Sequence, residues 1–326
     1  MSKIKLFTHI DLDGVGCAVL AYLAFGKENV DVDYCKYDDV DEKVEKFLSN
    51  TSERREYDMV YITDISVEDE LAKAIDIYIP NDKVQLLDHH ATALNLNKYD
   101  WCDVRVVMDI GLKTCGTELF YNWLDHSGYF DDAVFDFPES NLTRFVEIVR
   151  DYDTWRWKEL GDEGLVCKQI NDLLYIYGRD EFIQYIIDSL YFDKDDEFPL
   201  ILGTPLALLE QKQKDIDRYV EKKDKQLMVN TDQFGYAYGV VFAEQYFSEL
   251  GNRLCELHPE LVYIAMIDIS SGQVSYRSIS DDIDLGGTIA HSLGGGGHKK
   301  AAGSMFDGKS IRDSVIKQVF DMKEIL

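Results

Sequence analysis

The chain has 326 residues, enough at roughly 100 to 200 residues per domain for two domains, and its hydrophobic share of 46% is that of an ordinary folded protein. Its 61 acidic against 34 basic side chains leave a formal charge of -27, a field that repels long polyanions and leaves short phosphate-bearing ligands compatible. No apolar run approaches the roughly 18 residues of a membrane span, Asp11 interrupts any signal-peptide core, and the six cysteines show neither C-x-x-C pairs nor zinc-finger spacing. The expectation is a soluble, cytoplasmic protein with free thiols and with neither a membrane nor long duplex nucleic acid as partner; an oligomer is compatible with it.

In chain order, "IKLFTH" (4–9), "NVDVDYCKY" (29–37), "YDMVYITDI" (57–65) and "KVQLLDH" (83–89) predict strands. Between them "GVGCAVLAYLAFG" (14–26), "VDEKVEKFLSN" (40–50) and "VEDELAKAI" (67–75) have helical length and spacing. This alternation predicts an α/β domain, a parallel sheet with helices on both faces. From about 114 to 191 the pattern turns helical: "TELFYNWLDHSG", "SNLTRFVEIVRDYDTW" with a serine cap at Ser140, and "RDEFIQYIIDSLYF" (179–192). A long, charged, glycine-free stretch (204–228) predicts a helical connector. After it "YAYGVVFA", "LVYIAMIDIS" and "QVSYRSI" are strand-like, with "SSGQ" (270–273) as a turn, which predicts a smaller α/β domain with a mixed sheet. The expected division is 1–195, a connector over 196–230, and 231–326.

In a parallel sheet, ligands gather where strands end and the chain leaves for the covering helices. The first strand ends in "THIDLDG", the third in "ITDIS" and the fourth in "LLDHHA", which brings His9, Asp11, Asp13, Asp64, Asp88, His89 and His90 to one edge. Singly, an aspartate at a strand end is more often a turn former or helix cap; three strand ends in agreement point to a site. Carboxylates with some imidazole suit Mg²⁺ or Mn²⁺, and this many donors fit two ions better than one. Two such ions hold a phosphate between them and activate water for in-line attack, which removes the acidic charge as an objection to a phosphate ligand. Far along the chain, four consecutive glycines (294–297) precede His298 in "GGGGHKKAAG". They suit the presentation of amide N–H groups to an anion, or equally a flexible linker.

"THIDLDG", "ITDIS", "LLDHHA" and "RDYDTW" resemble the four N-terminal motifs of the DHH phosphoesterase superfamily, and "GGGGHKKAAG" is similar to the signature of its DHHA1 domain. Their order and the two-domain division match over nearly the whole chain. The resemblance implies that His9, Asp11, Asp13, Asp64 and His89 are metal ligands, with Asp64 bridging two ions, usually manganese, with Mg²⁺ or Co²⁺ as alternatives. It implies that His90 faces the phosphate as hydrogen-bond donor or proton source for the leaving oxygen, and that Asp88 orients an imidazole from outside the ligand set. Many members carry an acid where this chain has Val15; here Asp11 follows His9 at two residues, as in the branch with a D-x-D-G opening. The fourth motif offers Asp151 and Asp153, and Asp151 is preferred because it directly follows the helical "FVEIVR". Arg277, Gly295, Gly296, Gly297 and His298 match substrate-binding positions.

The implied activity is metal-dependent hydrolysis of very short oligoribonucleotides or linear dinucleotides to mononucleotides, as in the second type of bacterial nanoRNase. Alternatives within the superfamily are a 3'-phosphoadenosine 5'-phosphate phosphatase, a cyclic dinucleotide phosphodiesterase or a single-strand exonuclease. An alternative of another class is a nucleotide-binding module without turnover. Trp155 and Trp157 are expected to pack in the core, and Gly116 and Thr117 only to begin a helix.

Overall fold

Strand β1 (Ile4–His9) buries Ile4 and Leu6 in one helical layer and Phe7 in the opposite one, the period of two that a sheet covered on both faces requires. The structure, a computed structural model, describes residues 2–108, 111–130, 137–191, 201 and 203–320, and the chain divides into two compact units, Met1–Leu209 and Glu210–Leu326.

In the first unit β1 is followed by α1 (Leu12–Phe25), β2 (Val30–Cys35), α2 (Val40–Ser49), the single turn α3 (Thr51–Arg54), β3 (Met59–Thr63), α4 (Asp69–Tyr78), β4 (Val84–Asp88) and the short β5 (Cys102–Val104). All five strands are parallel, in the order β2-β1-β3-β4-β5. One face packs on α1, α5 (Gly116–His126), α6 (Glu139–Asp153), α7 (Asp162–Tyr177) and α8 (Arg179–Leu190), through a core that includes Leu20, Tyr61, Phe120, Phe145 and Phe182. The other face packs on α2 and α4 with Phe47, Ile75 and the buried Trp101. Helix α1 starts where the Asp11 side chain accepts from the Gly14 amide at 3.2 Å and stops at Gly26, whose φ of 81° a side chain disfavours.

Helix α6 begins one residue before the expected Ser140 cap, with Pro138 as its N-cap: the extended ψ of 124° keeps Pro138 outside the helix while its carbonyl accepts from the Asn141 amide at 2.9 Å. Phe192, the last residue of the expected 179–192 helix, lies outside the described residues, as do 196–200 and 202 of the expected connector. The helix of that connector is α9 (Thr204–Asp224), and the division between the units falls within it.

In the second unit, β6 (Met228–Thr231), β7 (Ala237–Phe242), α10 (Phe247–Leu257), β8 (Tyr263–Asp268), β9 (Gln273–Arg277), a π-helical turn (Leu285–Ala290), β10 (Gly296–Gly297), β11 (Ala301–Met305) and α11 (Gly308–Phe320) follow in order. The sheet runs β10-β11-β9-β8-β7-β6 and is mixed, with β7 and β8 parallel and the other pairs antiparallel. Ile264 and Met266 face Ile216, Val220 and Leu254 on one side, while Tyr263, Ala265 and Tyr276 face Leu285 and Ile289 on the other. No helix among the described residues is long and apolar enough to cross a membrane.

Candidate metal centre

The strand order reverses direction at β1, since the chain passes to β2 on one side and to β3 on the other. At such a switch point the covering helices diverge and leave a crevice beyond the strand ends. His9 closes β1, Asp64 follows β3, and Asp88 closes β4 with His89 and His90 after it.

Three overlapping groups of ligand atoms form there among the described residues. His9, Asp11 and Asp64 make one, Asp13, His89 and Asp153 a second, and Asp64, Asp88, His89 and His90 a third, the atoms of each lying within 4.8 Å of one another. Asp64 joins the first two: its Oδ2 is 3.8 Å from His9 Nδ1 and its Oδ1 is 3.2 Å from His89 Nε2. His89 Nε2 is in turn 3.6 Å from both Asp13 Oδ2 and Asp153 Oδ2.

The backbone is built to hold these groups. Asp13 is buried, and its two carboxylate oxygens accept from the amides of Gly116 at 2.6 Å and Thr117 at 2.7 Å, the free donors at the positive end of α5. The Thr117 hydroxyl donates to the Asp13 carbonyl at 2.6 Å and completes the clamp. Asp64 has a φ of 57°, a left-handed conformation that costs a non-glycine residue roughly 1 to 3 kcal/mol and clusters at functional sites. A Cβ on Gly116 would sit 2.5 Å from the Asp64 Cβ, so only glycine lets α5 start against that strained residue. The amides of Gly116 and Thr117, expected only to open a helix, thus fix one donor and make room for another. Residue types do not reveal this, because the contact spans more than a hundred positions.

Electrostatics point the same way. Burial, followed by the nearby carboxylates of Asp13 and Asp11, pushes Asp64 well above the usual carboxylate range. Burial and the same two acids push Asp153 up to about 8. Burial lowers His89. Among the described residues, His9 Nδ1 and Asp64 Oδ2 are buried without a hydrogen-bond partner, the imidazole nitrogen lying 2.9 Å from Asp11 Oδ2 but not aligned with it. Crowded carboxylates, neutral imidazole and unmatched lone pairs aimed at common points form a donor set that fits divalent cations.

Asp151, the expected fourth-motif ligand, is elsewhere. Its carboxylate is taken by Arg156 at 2.9 Å and Arg150 at 3.1 Å, and Arg150 continues to Glu118 on α5 at 2.9 Å. Asp153 stands at the centre instead. The two positions differ by about 200° around a helix of 3.6 residues per turn, so they point to nearly opposite sides of α6.

Beside this cluster, Asp88 is buried and its Oδ1 lies 2.7 Å from His90 Nδ1, while Ser66 donates to its other oxygen. Burial alone would raise Asp88, but the bond with His90 holds it below the usual range, and the same bond raises His90. His90 Nε2 is 3.0 Å from the hydroxyl of Tyr37, whose ring lies 4.8 Å from that of His9. A cavity of about 230 Å³ opens next to His90, lined among others by Tyr37, Asp41, Glu68, Asp69 and Asn95 and, among the described residues, by no lysine or arginine. Trp155, expected in the core, is 64% exposed at a φ of 66°, while Trp157 packs against the core.

No known family model matches the chain. Over 317 residues, covering 95% of this chain and 73% of the relative, it is 38% identical to the oligoribonuclease NrnB of Bacillus subtilis (strain 168). The chain belongs to the DHH phosphoesterase superfamily, in the branch of NrnB. Its fold is that of the DHH domain of a member of a ribosomal protein family, with a TM-score of 0.59 at 16% identity over 98% of this chain and 86% of that one. It is also that of RecJ from Thermus thermophilus in complex with Mn²⁺, with a TM-score of 0.51 at 15% identity over 97% of this chain and 52% of that one.

In the second unit of this DHH protein, the expected amide cradle is largely closed. The amide of Gly294 donates to His291, that of Gly295 to Ala290 and that of His298 to Ala301, while Gly296 and Gly297 pair with β11. Close packing explains the glycines: a Cβ on Gly295 would lie 2.1 Å from the Gly303 carbonyl. The imidazole of His298 and the ammonium groups of Lys299 and Lys300 are left exposed at the tip of this hairpin. Arg277 is half-buried on β9, its guanidinium donating to the Tyr276 carbonyl at 2.9 Å and to the Ser248 hydroxyl at 3.1 Å.

Proposed function

We propose that this protein is a metal-dependent phosphodiesterase that hydrolyses very short oligoribonucleotides and linear dinucleotides to mononucleotides. The carrying observation is the pair of acid–imidazole triads joined by the two oxygens of Asp64. In this reading His9 and Asp11 would hold one divalent cation and Asp13, His89 and Asp153 a second, with Asp64 placed to serve both. Manganese is the proposed metal. When bound, the two ions offset the charge gathering on the phosphate and activate water for in-line attack.

The chain's own groups do the rest. Asp13 is held by two amides before any ion arrives, so the second triad needs little reorganisation. Asp88 fixes the ring of His90 and favours its protonated form, whose Nε2–H, 3.0 Å from the Tyr37 hydroxyl, would turn from that hydroxyl to the leaving oxygen. The cavity beside His90, with Asp41 and Glu68 on its wall and Asp69 already paired with Lys73 and Lys98, repels a further phosphate. A leaving group on that side is favoured when it ends in a nucleoside, which supports short substrates. Arg277 and His298 supply substrate affinity rather than chemistry, and Gly295, Gly296 and Gly297 let the hairpin that carries His298 pack closely.

The test is turnover by the Mn²⁺-loaded protein of a labelled dinucleotide, a short oligoribonucleotide and a long single strand. The dinucleotide is expected to be cleaved fastest and the long strand slowest. Equal rates at all lengths overturn the length assignment, and absence of any product favours a binding module.

A further inference from the structure

The start of β3 has the opposite character from its end. A cavity of about 330 Å³ is lined there by Arg54, Arg55, Tyr57, Tyr78, Pro80 and Lys83 over a floor of Val60 and Ile79, and among the described residues no carboxylate lines it. In a chain of charge -27 with nearly two acids for every base, three cations on one concave wall are an anomaly. None of the three makes an ion pair among the described residues. The acids closest in sequence on α3 and after it are engaged elsewhere, Glu53 by the Asn50 side chain at 2.8 Å and Glu56 by Lys3 at 2.8 Å.

The cations are also positioned. Arg54 donates through one guanidinium nitrogen to the Leu48 carbonyl at 2.6 Å, and its guanidinium carbon lies 5.8 Å from the centre of the exposed Tyr78 ring. Arg55 and Lys83 are exposed, with their charges free to meet a ligand. Tyr57 is buried with its hydroxyl donating to Asp31 at 2.6 Å, which fixes its ring as a wall. Cations in a fork-and-point arrangement suit a phosphate, while an exposed aromatic face already carrying a guanidinium suits a second planar ring. The volume lies at the lower end of small-ligand pockets, roughly 300 to 1,000 Å³.

We propose that this cavity is a second ligand site, separate from the metal centre, which takes a small molecule joining a phosphate to an aromatic ring, the class that a mononucleotide represents. Arg55 and Lys83 meet the phosphate, Arg54 supports it, and Tyr78 carries the ring. The site lies at the opposite end of β3 from Asp64, about 15 Å away at the usual strand rise, so an occupant touches no group of the metal centre. The inference does not rest on the proposed reaction.

Calorimetric titration of the full chain with 5'-AMP, in EDTA so that no divalent ion supports turnover, tests it, with adenosine and inorganic phosphate as partial probes. Saturable binding of 5'-AMP is expected, weaker with either partial probe and weakened further by salt. The double variant Arg55→Glu/Lys83→Glu is expected to lose about tenfold or more in 5'-AMP affinity. Tyr78→Ala is expected to weaken 5'-AMP more than phosphate, and Arg277→Ala to leave binding unchanged. Both cations of the double variant are exposed and outside the metal centre, so its Mn²⁺-dependent turnover stays at the wild-type level. No saturable binding of 5'-AMP, equal affinity in the double variant, or loss of binding in Arg277→Ala overturns the proposal.

Discussion

At the ends of β1, β3 and β4, buried polar atoms stand unmatched: His9 Nδ1 and Asp64 Oδ2 have no hydrogen-bond partner among the described residues, and Asp153 is pushed up to about 8 by burial and by its acidic neighbours. In the glycine-rich hairpin of the second unit, the amides of Gly294, Gly295 and His298 donate to the protein's own carbonyls. Both regions carry a recognisable motif, yet their physical states are opposite. The first is a set of donors in excess of what the fold needs, the condition for binding a cation; the second is a self-satisfied scaffold that presents side chains. Chemistry is expected where valence is unmet and affinity where it is met, and four experiments bear on that contrast.

The largest effect belongs to Asp64. Asp64→Ala is expected to lower kcat by about a thousandfold or more in the Mn²⁺-loaded protein, because it removes the carboxylate that joins the two triads. Asp64→Asn in the metal-free protein is expected to raise Tm near neutral pH, since it removes a carboxyl that is ionised in the unfolded chain and must take up a proton to be buried beside Asp11 and Asp13. Retention of turnover in the first or a fall in Tm in the second would break the contrast.

Next comes the pair on α6. Asp153→Asn is expected to shift Mn²⁺ activation to higher concentration by about 10-fold to 100-fold. Asp151→Asn is expected to leave that titration in place and to cost about 1 to 3 kcal/mol of stability by removing the charge that Arg150 and Arg156 share, although Arg150 keeps Glu118. Metal titration followed by activity and by thermal melting checks both.

In the hairpin region, Arg277→Ala is expected to raise KM by about tenfold with kcat retained, the signature of a group that binds ground and transition states alike. A loss confined to kcat would move Arg277 into the chemistry.

The smallest effect is a pH dependence. Asp153 has a folded-state value raised from 3.8 to about 8, so the folded protein binds its proton more tightly than the unfolded chain does. The stability this contributes is fully present below the unfolded value and is lost as pH rises through about 8. In EDTA, wild-type Tm is therefore expected to fall across that window relative to Asp153→Asn, and saturating Mn²⁺ is expected to remove the difference. Parallel melting curves in EDTA would show that Asp153 is not so perturbed.

Much of the first sheet was legible because strand and helix periods are local properties. "IKLFTH" becomes β1 without a change of boundary, and the polar residues that close β1, β3 and β4 converge because parallel strands share one carboxyl edge. The choice between Asp151 and Asp153 was not legible from position after a helix. Both follow buried residues at helical spacing, Asp151 three after Ile148 and Asp153 four after Val149. What separates them is a pair of arginines, one of them on the turn after α6, and that is tertiary information. Tyr37 gave no signal either, since one tyrosine among 20 acquires meaning only when the turn after β2 sets its hydroxyl against His90. In the glycine run, the low side-chain volume was legible, but whether it served an anion or a neighbouring strand depended on β11, whose pairing local pattern does not encode.

The clamp on Asp13 also sets an order of events during synthesis. The carboxylate and its two amide donors are separated by 103 and 104 positions. A growing chain that has reached His90 already owns His9, Asp11, Asp13, Asp64 and His89, yet Asp13 still lacks its anchor and Asp153 does not yet exist. The centre is therefore assembled late, after α5 and α6 have been made and docked, and a fragment ending before Gly116 carries the recognisable triplet without the machine it names.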